Sequence, residues 1–554
     1  MFKGHPRGLP VLFFTEMWER FGFYLMLGIF SLYMLDPSES GPFGGLGFTR
    51  EWAAEVYGTY LALVYLTPFF GGIIADRFLG YRKCVFIGGL LMAAGYLLLA
   101  VPGIKIFYIG LLLIVLGNGF FKPNISTIVG RLYPEGSPLK DAGYNIFYMG
   151  INVGAFVCNF VAAILRNRFG WGYAFAAAGI GMVIGVITFY LGQRHLRQVE
   201  DRGEAGSVAD SGILGRIVTQ ILVPAAIAGF VGYKFLGGAF GGGPSGAATA
   251  AFLFATIPVV VYFVMLWARA PHGEKGPIGA LLSIFAVVIV FWMIFHQNGS
   301  SLTYWADENT KREAGSLAPM LRTFYFDQDA TIGQTVTDPE AQGSYWRNVP
   351  PEQRPAEGQK VTLISTELFQ SVNPFFVVVL TPVVVGVFGW LRRRGREPST
   401  PGKIAWGMLI TAISTLFMIA AVRMTHGGEF KASPMWLVGT YSVITVGELC
   451  LSPMGLALVS KLSPKRVTSL MMGGWFLAVA IGNKLSGVLA GLWERIPLEG
   501  IFWINCVSAI VAAGAIALLT PWIRRVMAQH EKDAPGRAAA DAARAAARAE
   551  GSTS

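Results

Sequence analysis

Apolar runs of about 20 residues alternate along this chain with short stretches rich in Gly, Pro and charged residues. At a rise of about 1.5 Å per residue, such runs predict helices that cross a bilayer. Fourteen can be placed, near 11–35, 52–76, 82–101, 106–130, 142–165, 172–192, 213–237, 248–268, 277–299, 367–391, 403–423, 435–459, 468–490 and 498–524. Most are apolar around the whole circumference, as helices facing lipid or one another must be. Residues 300–366 break the pattern, because "TVTDPEAQGSYWRNVPPEQRPAEG" is too polar to enter lipid and longer than a connection needs. This stretch reads as an external loop, either a small accessory structure or a mobile cover. The tail "RAAADAARAAARAEGSTS" carries Ala and Arg at helical spacing and reads either as a surface helix against anionic lipid or as a solvated tail.

Composition agrees with an all-α integral membrane protein. Of 554 residues, 53% are hydrophobic, 13% aromatic and only 14% charged, which excludes a water-soluble globule of this length. The net charge of +11 does not point to nucleic acid, since the Lys and Arg residues sit in separate short loops. With the N-terminus inside, the inner loops carry "DRFLGYRK", "GQRHLRQ", "ARAPHGEK", "RRRGRE" and "KLSPKR", so both termini are expected in the cytoplasm. The N-terminal "MFKGHPRGLP" runs straight into the first span with no small-residue cleavage site. Cys84, Cys158, Cys450 and Cys506 fall singly in apolar runs, a spacing that predicts neither a metal site nor a disulfide framework. No nucleophile with a base, phosphate loop or metal cluster is apparent, which argues against an enzyme.

The segment "GGIIADRFLGYRK", Gly71 to Lys83, resembles the loop signature of the major facilitator superfamily. That resemblance implies two six-helix bundles, with Asp76, Arg77 and Arg82 bracing the inner helix ends. Fourteen runs then leave an extra pair, assigned to 213–237 and 248–268, which read as lipid-facing additions. The expected organisation is an N-terminal bundle over 1–200, a cytoplasmic linker with the inserted pair over 201–270, a C-terminal bundle over 271–530 and a cytoplasmic tail over 531–554.

With the pair set aside, the intramembrane ionisable residues fall on the helices that open each three-helix repeat: Glu16, Glu19 and Arg20, then Lys122, then His296, then Glu448. Each ionised side chain at a helix centre costs about 2.5–3.5 kcal/mol on insertion scales, so these charges must pair or face a wet cavity between the repeats. Three carboxylates against Arg20 and Lys122 leave one in excess, and a carboxylate without a cation in a low-dielectric site has raised proton affinity. One proton neutralises the cluster. A zwitterionic substrate could then exchange with the internal ion pairs.

The chain resembles the proton-dependent oligopeptide transporters, the PTR or POT family. "EMWERFGFY" is similar to that family's ExxERFxYY motif, and "YLTPFFGGIIADRFLG", "GNGFFKPNIS", "NIFYMGINVGAF", "SVNPFF", "GELCLSPMGLALVSKLSP" and "GGWFLAVAIGNKLSG" follow in order. The resemblance implies a major facilitator fold, proton coupling by Glu16, Glu19 and Arg20, and a peptide carboxylate near Arg20 and Lys122. Glu448, Asn152 and Asn373 would hold the peptide amino group, while Tyr24, Tyr65, Tyr148, Trp292, Ser452 and Trp475 would line side-chain pockets. Four departures stand out. Leu27 occupies a position where many members carry a second cation, His296 one where a Glu is often found, Phe23 the place of a motif tyrosine, and Gly58 that of a helix 2 histidine. His296 is either a contributor to pH dependence or a polar cavity residue without a proton role. Arg50 and Asp307 are expected to form an external latch between the halves. The expected activity is proton-coupled import of di- and tripeptides across the cell's plasma membrane by a monomeric unit, with the proton as coupling ion and no other cofactor. The alternatives are a related symporter for another small solute and a non-transporting peptide receptor.

Overall fold

The computed structural model describes residues 2–37, 43–134, 137, 139–196, 215, 218–331, 343–346, 349, 352, 354, 356, 359–464 and 467–551. The bulk of the linker expected after residue 196 therefore lies outside the described residues, as do the side chains of Asp76 and Arg77. The first half consists of α1 (Gly8–Leu35), α2 (Arg50–Ile74), α3 (Tyr81–Leu99), α4 (Ile104–Arg131), α5 (Lys140–Phe169) and α6 (Trp171–Gly192). An inserted pair follows, α7 (Val218–Phe240) and α8 (Gly243–Ala268). The second half holds α9 (His272–Glu308), α10 (Thr366–Arg393), α11 (Thr400–Met424), α12 (Met435–Leu462), α13 (Thr468–Ala490) and α14 (Leu498–Gly551). Among the described residues, 13 of these helices are long and apolar enough to cross a membrane. α1, diluted by its three charges, packs lengthwise on α5 and α6 and completes the set of spans. Helix α14 continues through Gly551 without a break at the expected start of the tail.

Each half buries its own apolar core. One is built around residues such as Phe30, Tyr60, Phe107 and Phe175, the other around Leu281, Phe291, Met408 and Ile501. Small residues permit the tight crossings: a Cβ on Gly88 would lie 2.6 Å from the Gly117 carbonyl oxygen, and one on Gly95 2.7 Å from that of Gly110, where α3 crosses α4. Gly170, at φ 102°, both ends α5 and begins α6, a one-residue reversal that a side chain would strain.

The segment after α9 is an accessory structure. β1 (Asp327–Thr331) and β2 (Lys360–Ile364) pair antiparallel, with Asp327 opposite Ile364, and Tyr345, Trp346, Val349 and Leu363 form a small separate core. Buried Arg312 ties it together, donating to Asp307 at 3.0 Å, Gln328 at 3.1 Å and the Ile364 carbonyl at 2.9 Å. The structure docks on the end of α5, where Asn167 donates to the Asp327 carbonyl at 2.9 Å and Ser365 at 2.7 Å. The inserted pair differs from the expectation of a lipid-facing addition: α7 is largely exposed, but α8 sits against both halves, with Phe263 in the second core and Thr249 bonded to Glu55 of α2.

Candidate functional site

The site begins on α1. Arg20 spans both acids of its motif, with Nε 3.5 Å from Glu16 and Nη2 donating to Glu19 at 2.5 Å. All three side chains are buried. Asn118 of α4 steers the same guanidinium, its Oδ1 3.5 Å from Nη2 while its Nδ2 donates to the Val64 carbonyl at 2.8 Å. One turn along α4, the Lys122 ammonium lies 4.4 Å over the Tyr65 ring, where the ring quadrupole attracts a cation. Lys122 makes no ion pair among the described residues, although the charges of Glu16 and Glu19 act on it. The N-terminal half thus presents one cation saturated by carboxylates and a second that is free to receive an anion.

The C-terminal half faces this cluster with Glu448. Asn373 donates to the Glu448 carboxylate at 3.2 Å and to Thr445 at 2.8 Å, which fixes the carboxylate on α12 against the start of α10. Tyr24 and Tyr65 lie between the two sides, each within Coulombic range of Arg20, Glu19 and Glu448. An aromatic wall continues from Tyr65 to His296, 5.6 Å between ring centres, and Trp292 stacks on His296 at 4.9 Å and 23°. His296 ends the regular helix of α9 at a 3-10 turn; its Nδ1 and the Trp292 Nε1 are buried without a hydrogen-bond partner among the described residues.

Other expected residues divide. Tyr148 is 50% exposed on α5, within Coulombic range of Glu16, and Asn152 donates to its carbonyl at 3.0 Å. The Ser452 hydroxyl is buried without a partner among the described residues. Trp475 packs edge-on to Phe285 at 6.4 Å and over Gly455 in the second core, against which Tyr65 and Trp292 also pack. Leu27 is 3% exposed within the first core, so this position contributes packing and no contact to a substrate anion.

The outer side of the seam is closed. Ser31 donates to the Gly299 carbonyl at 2.5 Å, Tyr57 to that of His296 at 2.9 Å, Asn159 to Ser371 at 3.1 Å and Arg166 to Glu367 at 2.9 Å. The expected latch is corrected by one residue. Arg50 pairs with Glu308, and with Glu494 at 2.8 Å, whereas Asp307 receives Arg312 and the Thr366 hydroxyl at 2.7 Å. The helix runs on through Glu308, and neighbouring residues on a helix point about 100° apart. Hydrogen bonds and ion pairs between the halves among the described residues cluster on this side.

Sequence reasoning missed Asn118, Thr445 and the Glu55–Lys484 ion pair that joins α2 to α13. Asn118 had a signal, since it precedes Lys122 by four residues and so shares its helix face.

A POT family model matches residues 82–221 and 358–510. The chain is 32% identical over 535 residues to the uncharacterized transporter YclF of Bacillus subtilis, covering 95% of this chain and 96% of that one. It is 31% identical over 544 residues to the peptide transporter YePEPT of Yersinia enterocolitica, covering 95% and 96%. A crystal structure of peptide transporter POT in complex with sulfate aligns with a TM-score of 0.76 at 29% identity, over 95% of this chain and 97% of that one. The likeness runs through both bundles and every helix that carries the charged cluster. The chain belongs to the POT family: it is a multi-pass membrane transporter of the major facilitator fold and not an enzyme.

Proposed function

We propose that this protein is a proton-coupled symporter that imports di- and tripeptides by alternating access. The observation that carries the reading is the opposition of Lys122 and Glu448 across Tyr24 and Tyr65. A peptide zwitterion fits that polarity, its carboxylate on Lys122 and its ammonium on Glu448, with Asn373 already bonded to the latter. Arg20 is occupied by Glu16 and Glu19; protonation of one of these acids frees part of its guanidinium for the carboxylate. Binding of the proton thus favours binding of the substrate, and the reciprocal linkage couples their occupancy. Tyr65, Trp292 and His296 offer an aromatic surface to variable side chains, which makes few demands on their chemistry.

The basic inner loops orient the chain with both termini in the cytoplasm and the accessory structure outside, in the plasma membrane and as a monomeric unit. The closed outer side then corresponds to a state that does not face outward. A charge moving inward gains about 2.3 kcal/mol per 100 mV, so one proton per cycle concentrates a neutral zwitterion. Buried Leu27 favours a second reading: with Lys122 as the free cation, a related small solute with a single weak anionic group is also accommodated.

Purified protein in liposomes with an inward proton gradient and labelled dialanine tests the reading. Uphill uptake abolished by an uncoupler is the expected result. Uptake of other solutes alone would replace it with the second reading, and binding without uptake would replace it with a receptor.

A further inference from the structure

The inserted pair α7–α8 contains a residue that acts on the seam between the halves. Glu55 lies inside α2, one and a half turns from its outer end, and is buried at 4% exposure. One of its carboxylate oxygens, Oε1, accepts from the Lys484 ammonium of α13 and from the Thr59 hydroxyl at 3.1 Å. The other, Oε2, accepts from the Thr249 hydroxyl of α8 at 2.8 Å. Lys484 is 0% exposed and donates also to Thr59 at 2.8 Å. Three helices from three parts of the chain therefore meet at one carboxylate.

We propose that α8 is a working part of the outer gate: through Thr249 it braces the Glu55–Lys484 pair, and so helps set how readily the outer side opens.

The inner part of α8 is anchored on the second half. Phe263 is embedded in that half's core, where a Cβ on Gly474 of α13 would lie 3.0 Å from its ring, and the Trp267 indole rests on Gly279 of α9. Thr249 reaches the other way, to α2. Its hydrogen bond thus crosses the same interface as the ion pair, and opening the outer side breaks both. A buried ion pair alone contributes little net stability, because desolvation offsets its Coulombic attraction. The balance is then decided by whether every lone pair of the buried carboxylate is satisfied, and Thr249 is the partner of Oε2. The inference rests on alternating access between the halves, but not on which solute is carried.

The test reads the outer opening directly. Nitroxides at Ile104→Cys and Phe430→Cys, exposed outer positions on opposite halves, report the distance across the gate; the four native cysteines are buried. Thr249→Val keeps the shape and removes the hydroxyl, and should raise the ratio of open to closed outer populations about tenfold, the effect of one hydrogen bond to a charged group. Glu55→Gln should raise it at least as far, and Thr249→Ser should restore the parent ratio. Parent-like populations in Thr249→Val would overturn the proposal. A single unchanging distance in the parent and every variant would overturn alternating access itself, and the gate with it.

Discussion

Gly58 of α2 and Gly487 of α13 meet backbone against backbone: a Cβ on Gly58 would lie 2.9 Å from the Gly487 Cα and 3.2 Å from the Lys484 carbonyl oxygen. The two halves are in backbone contact here, one turn inward of Glu55. A larger residue at 58 would wedge the outer ends apart. Gly58→Val should destabilise the outer-closed form by about 1–3 kcal/mol, the usual range for overpacking, and Gly58→Ala by less. Thermal unfolding in detergent, run beside the nitroxide distance, checks both the size and the direction.

Arg50 has two acidic partners of unequal weight. Glu308 is nearly buried, whereas Glu494 is 64% exposed. Losing one partner of an exposed pair costs about 0–1 kcal/mol, whereas losing one partner of a buried pair strands the other charge away from water and costs about 3–5 kcal/mol. Glu494→Gln should therefore leave uptake close to that of the parent, while Glu308→Gln should increase the accessibility of the outer cavity to a membrane-impermeant thiol reagent. Equal effects of the two variants would count against Glu308 as the principal latch.

The helices were legible because bilayer length and apolar runs are local properties of a sequence. The charges of α1 were legible for the same reason, since Glu16, Glu19 and Arg20 violate the pattern around them. The partnership of Glu55 with Lys484 was not, because it joins positions 429 residues apart and each residue alone reads as an isolated charge. The β1–β2 hairpin was also hidden: "DQDAT" and "KVTLI" are short, and the first lacks any apolar alternation. Arg50 was identified but its partner was displaced by one residue, an error that only the continuation of the helix through Glu308 corrects.

Lys431 gives the accessory structure a pH dependence. Burial chiefly, and then the Arg312 charge, lower its pKa to about 8 against the pull of Asp307, Glu308 and Glu313. Its ammonium lies 4.5 Å over the Tyr345 ring and donates to the Glu308 carbonyl. A lysine whose folded pKa is lowered binds fewer protons folded than unfolded between about pH 8 and its ordinary value near 10.5. Stability should then rise with pH across that window, by up to about 1.4 kcal/mol per unit. Limited proteolysis of the segment between α9 and α10 should slow from pH 8 to 10 in the parent. That slowing should be absent in Lys431→Met.

The roles of Lys122 and Glu448 can be separated from a general loss of function by altering the substrate as well as the protein. If Lys122 holds the peptide carboxylate, Lys122→Gln should lower kcat/KM for dialanine about 100-fold, the scale of a charge-assisted hydrogen bond lost in a dry site. Dialanine amide should suffer a similar loss on the parent protein but little further loss on Lys122→Gln, because the same interaction cannot be removed twice. The matching cycle pairs Glu448→Gln with N-acetyl dialanine. The crossed combinations discriminate: N-acetyl dialanine on Lys122→Gln removes two separate contacts, so its losses should multiply. Full multiplication in the matched cycles would mean that neither residue binds the terminus assigned to it, and the charge opposition across Tyr24 and Tyr65 would then serve the helices rather than the substrate.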